Sequence, residues 1–206
     1  MKLKVCGMKY VDNLMMVAAV QPDYLGFIFY DQSKRNFEGV IPKLPKGIKK
    51  TGVFVNEYLE IVVSLVEEYQ LEAIQLHGDE SVDYIKELKG HLPRVEVIKV
   101  FGIKDFFDFS ILESYIEEVD YFLFDTKGKE RGGNGVKFDW SVLKEYPFDK
   151  PFFLSGGIDL DDIAKVNEIG ESHLPVYAVD INSRFETKPG VKNIKEVKSF
   201  KNKLVR

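Results

Sequence analysis

The stretch Lys2-Leu3-Lys4-Val5-Cys6-Gly7-Met8 starts the chain with a short apolar strand and ends it on a cysteine followed by a glycine. Cys6 is the only cysteine among the 206 residues. A thiol at the end of a strand, beside a residue that lets backbone approach a ligand, is well placed for chemistry. Free cysteine is also among the most buried residue types, so an inert packing role is the alternative.

The strand-then-polar pattern of this stretch repeats along the whole chain. Short β-branched or aromatic runs alternate with longer segments of helical period. The predicted strands cover residues 2–5, 24–28, 50–55, 73–76, 95–100, 121–124, 151–154 and 176–179. The predicted helices cover residues 11–20, 37–44, 56–69 with Asn56 as the N-cap, 82–89, 107–117, 140–145, 160–168 and 193–203.

Eight strand–helix units in one chain predict a parallel sheet covered by helices. The number eight favours closure into a (β/α)₈ TIM barrel over an open doubly wound sheet, although such barrels more often run to about 250 residues. No linker or change of composition interrupts the pattern. Residues 1–206 are therefore expected to form a single α/β domain.

Composition argues against several functional classes. A formal net charge of -4 gives no general attraction to nucleic acid or to acidic membranes. A lone cysteine cannot form an internal disulfide or a thiolate metal site. No leader precedes Leu3 and no apolar run is long enough to cross a bilayer, so we expect a cytoplasmic protein with a reduced thiol.

Polar residues that follow the strands are the candidates for function, because the working face of such a barrel is the rim at the C-terminal strand ends. These candidates are Cys6, Ser33 to Arg35, Asn56, Gln75, His77, Asp125, Gly156, Gly157 and Asp180 to Ser183. Gly156-Gly157 and Asn182-Ser183 follow the seventh and eighth strands, where barrels frequently hold phosphate on backbone N–H groups. A tight turn between strand and helix is the alternative role of the two glycines.

Cys6 and Asp125 would reach a small substrate from the first and sixth strands, which is the arrangement of a general base and a general acid. Capping of the following turn is the alternative role of Asp125. Arg35 carries a planar fork that suits a carboxylate. His77 is expected to be a hydrogen-bonding scaffold residue, and no cluster has metal-ligand spacing. The run Gly132-Gly133-Asn134-Gly135 lacks the dinucleotide-binding register.

With these residues collected, the sequence resembles the phosphoribosylanthranilate isomerase family, (β/α)₈ enzymes of tryptophan biosynthesis. The resemblance covers essentially the whole chain, and its specificity comes from the order and spacing of motifs that are individually weak. The motifs lie at 4–8, 26–29, 33–35, 52–56, 74–80, 124–126, 132–140, 154–158, 179–183 with Glu186, and 189–192.

The resemblance implies an Amadori rearrangement of N-(5-phosphoribosyl)anthranilate. It implies that Asp125 is the general acid that protonates the ribose ring oxygen, and that the Cys6 thiolate takes the proton from C2′ of the sugar. The implied substrate-binding residues are Arg35 on the anthranilate carboxylate, Gly156, Gly157 and Ser183 on the phosphate, and Asp180. No metal or organic cofactor is implied. The expected partner is the small phosphorylated sugar–anthranilate substrate, without nucleic acid or membrane, for a monomer or homodimer.

Three positions depart from the family pattern: Lys9 after the first motif, Lys34 before the arginine, and Arg184 after Ser183. Beside the isomerase, a second hypothesis is another sugar-phosphate barrel enzyme: an epimerase, the related isomerase acting in histidine synthesis, or one serving both pathways. The related isomerase of histidine synthesis works with a pair of aspartates, and Cys6 stands where one would be needed. A metal-dependent epimerase should show several histidines at strand ends, where only His77 qualifies. A non-catalytic binder of phosphorylated ligands on a barrel scaffold is the third.

Overall fold

The predicted strands pair edge to edge into a closed parallel barrel in the computed structural model, which describes residues 1–126 and 138–205. Each strand pairs in parallel with the next, and the eighth returns to pair with the first. In the described residues the barrel strands are β1 (Lys2–Val5), β2 (Tyr24–Ile28), β3 (Lys49–Phe54), β4 (Ala73–Leu76), β5 (Glu96–Ile103), β6 (Tyr121–Thr126), β7 (Phe152–Leu154) and β8 (Val176–Ile181). The predicted single-domain (β/α)₈ barrel is confirmed. The predicted glycine-rich loop at 132–135 lies outside the described residues.

Helical segments connect the strands and cover the outside of the barrel. The α-helices in the described residues are α1 (Val11–Ala19), α2 (Leu59–Tyr69), α3 (Val82–His91), α4 (Ile163–Gly170) and α5 (Ile194–Lys203). Two predicted helices are instead 3₁₀ segments, Phe109–Tyr115 and Trp140–Glu145. Another 3₁₀ segment, Leu160–Asp162, leads directly into α4. A short antiparallel hairpin, β9 (Glu186–Lys188) with β10 (Val191–Lys192), was not predicted and follows β8.

Two local predictions are wrong. No helix forms at 37–44, because Gly39, Pro42 and the following Pro45 interrupt the segment, and Phe37 packs its ring on Phe27 instead. Asn56 does not cap α2, which starts at Leu59 after Tyr58. Asn56 has a left-handed backbone (φ 51°), and its Oδ1 accepts a hydrogen bond from the Asp79 N–H at 2.6 Å.

The core has two parts because side chains alternate across each strand. Outward residues such as Leu3, Val5 and Phe27 belong to the large cluster under the helices. Tyr24, Leu123 and Phe153 belong to a separate cluster that fills the inside of the barrel, as expected for a packed interior rather than a pore. The same alternation places Lys4 and Cys6 on the inward face of β1 and its C-terminal extension, above this inner apolar cluster. The polar residues of the rim therefore lie on top of a packed apolar cluster.

Candidate active site

One pocket at the C-terminal rim brings together every residue that the sequence predicted to act on a substrate. It contains about 790 Å³ of space, including solvent at its open mouth. Its lining includes all seven predicted residues: Cys6, Arg35, Asp125, Gly156, Gly157, Asp180 and Ser183. The strand ends that carry them are far apart in sequence, and the closed barrel makes them neighbours.

Cys6 lies at the inner wall of this pocket and is only 4% exposed. Gly26 on the neighbouring strand makes room for the sulfur, since a Cβ at that position would lie 2.7 Å from Sγ. Burial raises the pKa of the Cys6 thiol, Lys4 and Lys192 oppose the rise, and Asp180 adds to it. The free protein therefore keeps Cys6 mainly as a thiol near neutrality.

Lys4 and Asp180 form an ion pair inside the barrel. The two residues are register partners on β1 and β8, and Lys4 Nζ donates to Asp180 Oδ1 at 3.1 Å. Lys4 is fully buried and Asp180 is 6% exposed. Burial works against the charge of Lys4, yet Asp180 and then Cys6 outweigh it and raise the Lys4 pKa. Burial also raises the pKa of Asp180, and Lys4 opposes that rise.

Asp125 lies one residue before the end of β6, and β6 is not a neighbour of β1 in the barrel. Burial raises the pKa of its carboxyl group to about 6, although the Thr126 N–H that donates to Oδ1 at 2.8 Å opposes the rise. His77 Nε2 lies 3.6 Å from Asp125 Oδ2, and Gln75 Nε2 lies 3.2 Å from His77 Nδ1. A carboxyl group with this pKa can hold or release a proton near neutrality, as a general acid must. The scaffold role expected for His77 stays a prediction.

The Gly156-Gly157 turn follows β7 beside Asp125. Both residues have left-handed backbones, with φ of 94° and 64°. A Cβ on Gly156 would lie 2.4 Å from Thr126 Oγ1, so a side chain there would push the β6 and β7 loops apart. After the neighbouring strand β8, Ser183 begins the 3₁₀ segment Ser183–Phe185 and lines the same pocket. Backbone N–H groups in turns of this kind can bind an anion without a basic side chain.

Arg35 is held by a carboxylate that sequence reasoning did not assign. Its Nε donates to both Glu186 oxygens at 3.0 Å, and its NH2 group donates to Glu186 Oε2 at 2.6 Å. Lys192, which is fully buried, also donates to Glu186 at 2.6 Å and to Asn182 Oδ1 at 2.6 Å. Burial opposes ionisation of Glu186, but Arg35 and Lys192 outweigh it and lower its pKa. Burial lowers the pKa of Lys192 to about 8.

Three charged residues of the site, Lys4, Lys192 and Glu186, were missed because charged side chains are normally read as solvent-exposed. The position of Lys4 in the sequence could have indicated that it is buried. A strand of a parallel barrel is buried on both faces, so a lysine between Leu3 and Val5 has no route to water. Lys192 and Glu186 belong to the unpredicted hairpin, and although both lie in motifs of the family resemblance, neither was given a role.

Gln75 adds an unsatisfied polar atom to the pocket wall. Its side chain is 2% exposed, and its Oε1 has no hydrogen-bond partner among the described residues. A buried acceptor without a partner is costly, and a hydroxyl group of a bound ligand would satisfy it. No group of three or more His, Cys, Asp or Glu side chains within residues 1–126 and 138–205 is arranged to hold a metal ion. No helix of the described chain is long and apolar enough to span a membrane.

The fold and the pocket define a class: a (β/α)₈ protein whose rim joins a carboxyl group, a thiol and a glycine turn in one pocket. A sequence profile described as N-(5'phosphoribosyl)anthranilate (PRA) isomerase matches residues 3–203. The N-(5'-phosphoribosyl)anthranilate isomerase of Parabacteroides distasonis is 38% identical over 208 residues, covering 97% of this chain and 91% of the relative.

Solved structures agree with the sequence comparison. Phosphoribosyl anthranilate isomerase from Thermotoga maritima superposes with a TM-score of 0.81 and 30% identity, over 98% of this chain and 97% of that chain. A second phosphoribosyl anthranilate isomerase, solved in complex with reduced 1-(o-carboxyphenylamino)-1-deoxyribulose 5-phosphate, gives a TM-score of 0.76 and 28% identity, over 97% and 95% of the two chains. The chain belongs to the N-(5'-phosphoribosyl)anthranilate isomerase family.

Proposed function

We propose that this chain converts N-(5-phosphoribosyl)anthranilate to 1-(2-carboxyphenylamino)-1-deoxyribulose 5-phosphate in tryptophan biosynthesis, by general acid–base catalysis. One observation carries the proposal: Cys6, Asp125, Arg35 and the Gly156-Gly157 turn line the same pocket. An acid, a base, a carboxylate partner and a phosphate cradle are the four things that this reaction requires.

Asp125 acts first, as the general acid. Its proton passes to the ribose ring oxygen, the C1′–O bond breaks, and the ring opens to a Schiff base with a positive charge on nitrogen. The raised pKa of about 6 keeps a proton available on Asp125 close to neutral pH. Proton transfer by a positioned carboxyl group of matched pKa contributes typically about 10²–10⁴-fold to a rate.

Cys6 acts second, as the general base. Its thiolate takes the proton from C2′, the electron pair moves into the C1′–C2′ bond, and the iminium nitrogen is neutralised. The resulting enamine tautomerises to the ketone. Burial keeps the thiol protonated in the free protein, but the iminium cation formed in the first step is an opposite charge that favours the thiolate. The substrate nitrogen is the electron sink, so the chemistry needs no metal or organic cofactor.

The two ends of the substrate are bound at opposite parts of the pocket. The amides around Gly156, Gly157 and Ser183 hold the phosphate, and Asp180 and Gln75 contact the sugar. Arg35 binds the anthranilate carboxylate. Glu186 accepts hydrogen bonds from Nε and from one terminal amino group of Arg35. The remaining N–H donors of the Arg35 guanidinium stay available to a second carboxylate.

The cytosol is the location that this mechanism favours, because Cys6 works as a base only while it is reduced. The small substrate is the one required partner, and the chain acts as a monomer or a homodimer.

The experiment that tests the function measures turnover of two substrates by the purified chain, with product formation followed by liquid chromatography. One is N-(5-phosphoribosyl)anthranilate, and the other is the aniline analogue without the carboxylate. Arg35→Met is expected to raise KM for the first substrate by about 10-fold or more, since a charge-assisted pair contributes about 1.5–3 kcal/mol. The same substitution should barely change KM for the analogue.

Arg35→Lys is the matched control, because a lysine keeps the charge but cannot bind two carboxylates through a planar fork. We expect it to rescue KM only in part. Absence of turnover by the wild-type chain would refute the function. Equal effects of Arg35→Met on both substrates would refute only the role of Arg35.

A further inference from the structure

Lys4 sits directly below Cys6 inside the barrel. The two residues are two positions apart on β1, so their side chains project from the same face of the strand. Lys4 is fully buried and pairs with Asp180 at 3.1 Å. Burial lowers the pKa of Lys4, Asp180 and then a negative charge on Cys6 raise it, and Lys4 in turn opposes the rise that burial causes in the pKa of Cys6.

A buried lysine at this position is expensive for the fold. Removing a charged group from water is costly, and an ion pair only partly offsets that cost. A methionine would fill a similar volume without that penalty. Asp180 accounts for one N–H of the ammonium in a hydrogen bond, while an ammonium group has three donors.

The charged groups around Cys6 have a net positive charge that a Cys6 thiolate would neutralise. Lys4 faces it from β1, Asp180 from β8, and Lys192 from β10. Lys192 shares Glu186 with Arg35, Asp125 faces the pocket from β6, and Arg184 is exposed at the mouth. Among these described groups, the shielded ones carry three positive charges (Lys4, Lys192, Arg35) and two negative charges (Asp180, Glu186) when Asp125 is protonated. A negative charge on Cys6 would make the shielded set neutral.

We propose that Lys4 is a positioning residue, whose buried ammonium fixes the Cys6 sulfur and stabilises its thiolate for the proton transfer. The inference rests on the proposed role of Cys6 as the base. Lys4 is not among the residues that line the pocket, and it acts only through Cys6. Asp180 holds the ammonium in place and limits how strongly it acts on the sulfur.

The test measures how fast iodoacetamide alkylates Cys6 as a function of pH. Since the chain has one cysteine, the signal comes from that residue alone, and no substrate is needed. Iodoacetamide is neutral, so its rate follows the thiolate fraction. In Lys4→Met the midpoint of the pH dependence should rise by about one unit or more, because a nearby opposite charge typically lowers a pKa by about one to three units. An unchanged midpoint overturns the proposal.

Lys2→Met is the matched control. Lys2 lies on the same face of the same strand, but four residues from Cys6, which is about 13 Å along a strand. Its substitution should leave the midpoint unchanged. A shift as large as that of Lys4→Met would show that any lysine of β1 has the effect, and would overturn the proposal.

A second comparison covers the case in which Lys4→Met leaves Asp180 unpaired and the protein unfolds. Asp180→Asn should lower the alkylation midpoint, since it frees Lys4 for the thiolate. Adding Lys4→Met to that variant should raise the midpoint again, without creating a buried unpaired charge. A double variant with a midpoint at or below that of Asp180→Asn overturns the proposal. Because these midpoints are measured without turnover, they can fail while isomerase activity stands.

Discussion

Burial of Asp125 raises its pKa, which suits a general acid but makes the folded protein less stable at neutral pH. Burial raises the pKa of its carboxyl group to about 6, so the folded protein holds a proton that the unfolded chain, with a pKa of about 3.9, releases. Stability from this group is present below about pH 4 and is lost as pH rises through about 6. At neutral pH the ionised carboxylate therefore destabilises the fold.

Asp125→Asn should make the protein more stable at pH 7.5, by about 1–3 kcal/mol, because two pKa units correspond to about 2.7 kcal/mol. The asparagine keeps an oxygen for the Thr126 N–H and carries no charge. The gain should disappear at pH 4, where the wild-type carboxyl group is already protonated. Urea unfolding at the two pH values measures both.

The exposed Asp149→Asn is the control and should change the free energy of unfolding by less than about 0.5 kcal/mol at either pH. If Asp125→Asn were no more stable than wild type at pH 7.5, the raised pKa would be wrong.

At the residue scale, the sequence predicted the groups that end strands and missed those beneath them. Cys6, Asp125, Gly156 and Ser183 follow apolar runs, and a barrel places all such positions on one rim. Lys192 gives no comparable signal, because its burial depends on Glu186 and Asn182. A lysine is assigned to the surface until its partners are known.

At the element scale, one buried ion pair ties the loops on three neighbouring strands together. Lys99 on β5 donates to the Gly78 carbonyl at 2.8 Å and to Glu80 Oε2 at 3.0 Å. Glu80 accepts in turn from the N–H groups of Asn56, after β3, and Gly78, after β4. The loop after β4 carries His77 beside Asp125, so this pair supports one wall of the pocket.

Lys99→Met should lower the free energy of unfolding by about 3–5 kcal/mol, because it leaves the Glu80 carboxylate buried without its counter-charge. Lys86→Met is the matched control. Lys86 pairs with Glu118 at 3.9 Å, and its side chain is 54% exposed, so its loss should change stability by less than about 1 kcal/mol. Urea unfolding compares the two, and equal effects would mean that burial of the Lys99 pair does not matter.

The elements that the sequence predicted least well are those with short-range breaks or tertiary partners. The apolar positions at 37–44 read as a helix, but glycine and proline prevent one there. Asn56 follows a strand as an N-cap would, yet its side chain turns to the next loop and binds the Asp79 N–H. The β9–β10 hairpin has only five residues of strand, too few for a period-2 pattern to stand out.

At the scale of the whole molecule, counting strand–helix units was enough to predict closure. Eight parallel strands with the first bonded to the last place residues from every part of the chain around one axis. Cys6, directly after β1, and Asp125 on β6 line one pocket with Gly156, Gly157 and Ser183 from the loops after β7 and β8 and with Arg35 from the loop after β2. Which charges meet beneath them depends on strand register, such as Lys4 against Asp180, and register is not readable from one sequence.

The measurement that tests the account most directly is kcat for Cys6→Ala and Asp125→Ala with N-(5-phosphoribosyl)anthranilate, each variant first shown by circular dichroism to be folded. If the sulfur and the carboxyl group are the base and the acid, each substitution should lower kcat by at least about 10²-fold while the substrate still binds. Turnover by both variants at close to the wild-type rate would contradict the account.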